Sequence, residues 1–91
     1  TVMGYILGKT FNVFPNPFTQ QLNIVYELQN ESKVIVEVYN LNGQLIESLV
    51  NQEQVEGKHQ VQFETADASG IYLIKMVVDN NVYHQQIIKT R

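Results

Sequence analysis

From Phe11 to the end of the chain, apolar and polar residues alternate with a period of two, and turn residues cut the alternation into short lengths. A period of two puts every second side chain on one face of an extended strand, so each length reads as a strand with one dry face. Leu22, Ile24, Tyr26 and Leu28 alternate with Asn23, Val25 and Glu27. Val34, Val36 and Val38 share a face in the next length, opposite Ile35, Glu37 and Tyr39. Such β-branched and aromatic residues suit a covered strand. His59, Val61 and Phe63 alternate with Gln60, Gln62 and Glu64. Residues 71–78 are broken only by Lys75, which marks them as the best central strand. No length shows the 3.6-residue period of a helix.

The punctuation sets the connections. Asn30-Glu31-Ser32 reads as a turn. Asn42-Gly43 predicts a type I′ hairpin turn, with two residues at positive φ, leading into a partner strand over residues 44–50. Residues 51–56 are polar and end at Gly57, which predicts a loop, and residues 65–70 predict a second. Asp79-Asn80-Asn81 predicts a tight turn, because Asn tolerates the left-handed region. Residues 82–89 close the chain as a last strand. With a short strand at residues 11–14 the count reaches seven, in 91 residues. That pattern predicts an all-β, immunoglobulin-like antiparallel β-sandwich of about seven strands, with a small barrel or one twisted sheet as the alternatives. Residues 1–10 carry Gly4 and Gly8 and no clear period, so they read as a linker or an added strand ahead of one domain over residues 11–91. The first residue is Thr1, which points to a piece of something longer. No charged start followed by an apolar run is present, so no signal peptide is expected in these residues.

Composition excludes several kinds of function. The net charge is −3, from 6 Lys and Arg against 9 Asp and Glu, which argues against a nucleic-acid partner and against docking on an anionic membrane. No run approaches the roughly 18 apolar residues of a membrane span, so no membrane insertion is expected. There is no Cys, and so no disulfide, thiolate nucleophile or Cys-based metal site. Charge is partly replaced by amides, with 9 Asn and 10 Gln.

No constellation carries chemistry. His59 and His84 fall on different strands without a third metal ligand at a useful spacing. Ser32, Ser48 and Ser69 lie outside any nucleophile elbow. Only two aspartates exist, Asp67 and Asp79, and no calcium-loop spacing surrounds them. No catalytic residue, metal ligand or cofactor site is therefore expected. Most tyrosines fall within strands, where they are expected to pack with their hydroxyls at the rim. Phe14-Pro15-Asn16-Pro17-Phe18 stands apart: two prolines fix φ, remove two donors and extend the residue before each. It reads as a rigid, non-helical segment held by two anchoring aromatics, serving either as a kinked first strand or as a preformed recognition feature.

Those five residues, Val38-Tyr39-Asn40-Leu41-Asn42-Gly43, Gly57, Gly70-Ile71-Tyr72 and the terminal Lys89-Thr90-Arg91 follow in an order and spacing that resembles a type A C-terminal sorting domain of the type IX secretion system of Bacteroidetes bacteria. The resemblance covers residues 11–91, and its specificity lies in the joint order rather than in any one motif. Where that middle motif often has Asp, this chain has Asn40, which leaves the turn chemistry intact. The resemblance implies an immunoglobulin-like sandwich at the end of a larger secreted cargo. It implies recognition by an outer-membrane translocon, passage through the periplasm to the cell surface or beyond, and in many cases removal by a sortase-like peptidase. A cut of that kind would fall in residues 1–10. The targeting motif it implies is Pro15, Asn16, Pro17, Phe18, Asn42, Gly43, Gly70, Tyr72, Lys89 and Arg91. Lys89 and Arg91 read equally as a signal or as charges that keep an edge strand from aggregating, and the last strand reads as an edge open to pairing. The competing reading is a glycan- or protein-binding sandwich module of a multidomain enzyme. A small hydrolase has no feature in its favour.

Overall fold

A computed structural model describes residues 10–66 and 68–90, the side chain of Thr10 excepted. They form seven strands: β1 (Thr10–Phe14), β2 (Gln21–Leu28), β3 (Ser32–Asn40), β4 (Leu45–Gln54), β5 (Gly57–Glu64), β6 (Gly70–Val78) and β7 (Asn81–Lys89). One sheet has the order β1-β2-β5 and the other β4-β3-β6-β7, and every strand pair within them is antiparallel. The all-β sandwich is thus as the alternation predicts, and among the described residues there is no helix.

The dry faces meet between the sheets. Leu22, Ile24, Tyr26 and Leu28 of β2 face Val34, Val36 and Val38 of β3 and Tyr72, Ile74, Met76 and Val78 of β6, and all are buried. β6 lies between β3 and β7 and is central, as its run of apolar residues requires. Phe11, Phe18, Phe63 and Ile87 complete the core.

Two connections differ from expectation. Residues 51–54 belong to β4, not to a loop: Ser32–Ile35 of β3 pair with Gln54–Asn51. β4 is an edge strand with little burial there, so its backbone is fixed by the ladder while its side chains stay polar and show no alternation. Its register slips twice, leaving Leu49 and Ile46 as extra residues. These two bulges let Ile46, Leu49 and Val50 all pack on the core.

The second difference is at Asn42-Gly43. Only Gly43 has positive φ, at 85°, so the turn is not type I′. Gly43 N–H donates to Asn40 O at 3.0 Å and Asn40 N–H to Gln44 O at 3.0 Å, closing a three-residue loop with Gly43 as the left-handed bulge residue. The Asn40 side chain explains why: its Oδ1 accepts from the N–H of Asn42 at 2.9 Å and of Gln44 at 3.0 Å, which holds the turn without a left-handed Asn42. The pair of left-handed residues sits instead at Asp79 (φ 48°) and Asn80 (φ 76°), the two-residue loop between β6 and β7.

Many of the amides occupy the outer face of β1-β2-β5. Asn23 Oδ1 accepts from Gln60 at 3.1 Å and from Gln62 at 3.2 Å, and Gln21 donates to Gln62 at 3.1 Å. Gln21 also donates to the Glu64 carboxylate at 3.4 Å, and cross-strand side-chain pairs of this kind hold the wet face together.

Candidate recognition pole

Alternating strand direction decides where the motif residues go. The ends of β1, β3, β5 and β7 and the starts of β2, β4 and β6 share one pole of the sandwich, as the pairs Gln21–Glu64, Asn40–Tyr72 and Gly70–Lys89 show. Pro15, Asn16, Pro17 and Phe18 lie in the β1–β2 connection, Asn42 and Gly43 in the β3–β4 loop, Gly70 and Tyr72 at the start of β6, and Lys89 at the end of β7. All nine therefore gather at that pole although they span residues 15 to 89. Arg91, the tenth, lies outside the described residues. The described chain begins at Thr10, beside Glu27 at the opposite pole, and the long axis of the molecule is 37 Å.

The proline segment carries the chain from one sheet to the other. Both Pro15 and Pro17 follow cis peptide bonds. Past them Phe18 forms a parallel bridge with Lys89: Phe18 N–H donates to Ile88 O at 2.9 Å, and Thr90 N–H to Phe18 O at 2.8 Å. Asn16 adds two bonds from its side chain, donating to Gln86 O at 3.2 Å and accepting from Ile88 N–H at 3.0 Å. The edge of β7 is thus covered over residues 86–90 and is not the wholly open edge expected. Among the described residues, none covers residues 81–85 in this way.

Only one of the two flanking aromatics is an anchor. Phe18 is 1 % exposed and meets Phe63 edge-on, with centroids 6.2 Å apart and planes at 63°. Phe63 continues to Tyr72 at 6.5 Å, and the Tyr72 hydroxyl donates to Ala68 O at 2.6 Å, tying the β5–β6 loop to the core. Phe14 is 48 % exposed, because it falls on the wet side of β1 beside Asn23. Gly43 and Gly70 both have open space where a Cβ would stand, so backbone conformation and not crowding sets the need for glycine there.

Two concave surfaces flank the pole. One is an open cleft lined by Thr19, Gln20, Glu64, Thr65, Ala66 and Lys89. The other is a largely apolar groove on the outer face of the larger sheet, lined by Tyr39, Leu41, Leu73, Lys75 and His84 with the Asn40–Gly43 backbone turn. The Tyr39 hydroxyl donates to Glu37 at 2.6 Å, and that carboxylate holds the Tyr39 phenol above its usual pKa.

The residues with ordinary chemical reactivity are dispersed. His59 stacks on Tyr26 at 5.5 Å with a ring nitrogen 2.8 Å from Val55 O, while His84 lies on the other sheet. Among the described residues no three of His, Cys, Asp and Glu are grouped to hold a metal ion. Asp67 lies outside the described residues.

Asn40 as the holder of the β3–β4 turn, and Ile88 and Thr90 as partners of the proline segment, are not among the site residues the sequence points to. The signal for Asn40 was present: Asn two residues before another turn residue is the pattern of an Asx turn. The pairing of Asn16 with residues 86 and 88 has no local signal.

A search of the curated proteins and a search of the solved structures each returned no match. The family model described as the secretion system C-terminal sorting domain matches residues 12–90, from the middle of β1 to the residue after β7. A match over nearly the whole sandwich, on a chain whose motif residues converge on one pole, makes this chain a member of the type IX secretion system C-terminal sorting domain family.

Proposed function

We propose that this domain is a non-catalytic address label whose motif pole is read by the outer-membrane translocon of the type IX system. The observation that carries this reading is the convergence of residues 15–18, 42–43, 70–72 and 89 on the pole opposite Thr10. A cargo joined ahead of Thr10 leaves that pole unobstructed. A translocon then reads the apolar groove beside Leu41 and Leu73, the cleft at Lys89 and the covered edge of β7 together. After passage from the periplasm to the surface, a sortase-like peptidase cuts within residues 1–10 and the cargo stays at the cell surface or is released. Fusion of the 91-residue chain behind a periplasmic reporter in a type IX-competent bacterium tests the reading. Reporter on the surface is the expected result; a folded, intact fusion retained in the periplasm refutes it.

A second reading, a glycan-binding module, has one observation in its favour. The outer face of β1-β2-β5 presents a neutral network of Gln21, Asn23, Gln60 and Gln62 beside the exposed ring of Phe14. Aromatic rings with nearby amides suit sugar hydroxyls and ring faces. Titration with neutral polysaccharides decides it, with binding lost in Phe14→Ala as the supporting result.

A further inference from the structure

The prolines at 15 and 17 have no N–H, so between Phe14 and Phe18 the only backbone donor for a neighbouring strand is the Asn16 N–H. The Asn16 side chain fills the gap. A primary amide presents one carbonyl and one N–H donor side by side, the same pair that a peptide group presents to an adjacent strand. Its Oδ1 accepts from Ile88 N–H at 3.0 Å and its Nδ2 donates to Gln86 O at 3.2 Å. Phe18 continues the pairing with its own N–H and C=O, to Ile88 O at 2.9 Å and from Thr90 N–H at 2.8 Å. The Thr90 hydroxyl adds a long bond to Phe18 O at 3.4 Å. Five polar groups on the outer edge of residues 86–90 are satisfied by a segment 70 to 72 positions earlier in the chain. Phe18 anchors that segment through its buried ring.

We propose that Asn16 is a positioning residue: its side-chain amide acts as a substitute peptide group that holds the end of β7, so that Lys89 and Thr90 are presented to the translocon in one fixed arrangement. The inference rests on the sorting reading above. In this arrangement the proline motif and the end of β7 form one unit: the first holds the second.

The test uses two variants that open the same clamp from opposite sides. Asn16→Ala removes the amide. Ile88→Pro removes the donor and spares the β6 ladder, because Ile88 N–H points to Asn16 and not to β6, and proline is tolerated on an edge strand in that orientation. Amide hydrogen exchange of the 91-residue chain and surface delivery of the reporter fusion are measured for both. The expected result is at least tenfold faster exchange at Thr90 in each variant, unchanged exchange at Val36 in the core, and a severalfold loss of delivery in each. Unchanged exchange at Thr90 overturns the clamp. Normal delivery of Ile88→Pro overturns the positioning role, whether Asn16→Ala is delivered or not, since a loss in Asn16→Ala alone means that Asn16 is read directly. Failure of the unmutated fusion to reach the surface instead refutes the sorting reading itself.

Discussion

Phe18→Ala is the most informative single change, because the sequence gives Phe14 and Phe18 equal standing and the structure does not. Phe18 is 1 % exposed, so truncation forfeits the burial of nearly a whole benzyl group, worth about 1.5–3 kcal/mol. The edge-on contact with Phe63 adds about 0.5–1.5 kcal/mol. A cavity remains beside Phe63, itself fully buried and not free to collapse, and measured Phe→Ala costs in cores are about 3–5 kcal/mol. A domain of 91 residues has roughly 5–14 kcal/mol of total stability. Phe18→Ala is therefore expected to remove about a fifth of the whole at the least, and more than half if the domain is marginal. Phe14→Ala, at a position 48 % exposed, is expected to cost less than about 1 kcal/mol. Urea unfolding followed by tyrosine fluorescence measures both, since the chain has five tyrosines and no tryptophan. A Phe18→Ala loss below 1 kcal/mol, or equal losses for the two variants, refutes the assignment of the anchor.

Four further outcomes follow from other sites. Gly43→Ala is expected to cost about 1–2 kcal/mol, since φ of 85° strains any residue with a Cβ, and Asn40→Ala about 1–2 kcal/mol through loss of the two bonds from its Oδ1; urea midpoints check both. Tyr83→Phe is expected to stabilise by up to about 1 kcal/mol in the same assay, because its hydroxyl is buried with no partner among the described residues. Stability is expected to fall as pH rises above 10. The pKa values of Tyr26 and Tyr83 are raised by burial, with the bond to Gln54 partly offsetting the shift at Tyr26, and that of Tyr39 is raised by the Glu37 carboxylate. The unfolded chain then loses these protons first. Stability is whole below the unfolded value and is lost as pH climbs through the folded ones, which a pH series of urea midpoints records.

What could be read from the residues follows how each strand is buried. β2, β3 and β6 each press one face on the opposite sheet, so burial itself wrote the alternation into their residues. The far half of β4 buries little beyond Gln54, which accepts from the Tyr26 hydroxyl; its strand character comes from the ladder to Ser32–Ile35, which side chains do not encode. The position of the β3–β4 hairpin was legible at Asn42-Gly43, but its turn type was decided by the side chain of Asn40, two residues upstream. The gathering of the motif at one pole was derivable in principle, because seven antiparallel strands put alternate connections at the same end. The clamp of Asn16 on Gln86 and Ile88 was not, because nothing local ties residue 16 to residues 70 and 72 positions away.

The opposed placement of Thr10 and Lys89 also has a mechanical consequence. A load applied between a cargo ahead of Thr10 and a receptor gripping the far pole runs along the strand axes. Inter-strand hydrogen bonds lie across that axis, so the β1–β2 ladder and the Phe18–Lys89 bridge are strained in shear, many bonds at once, and not peeled apart one by one. The domain is thus built to be towed from its two ends without unzipping.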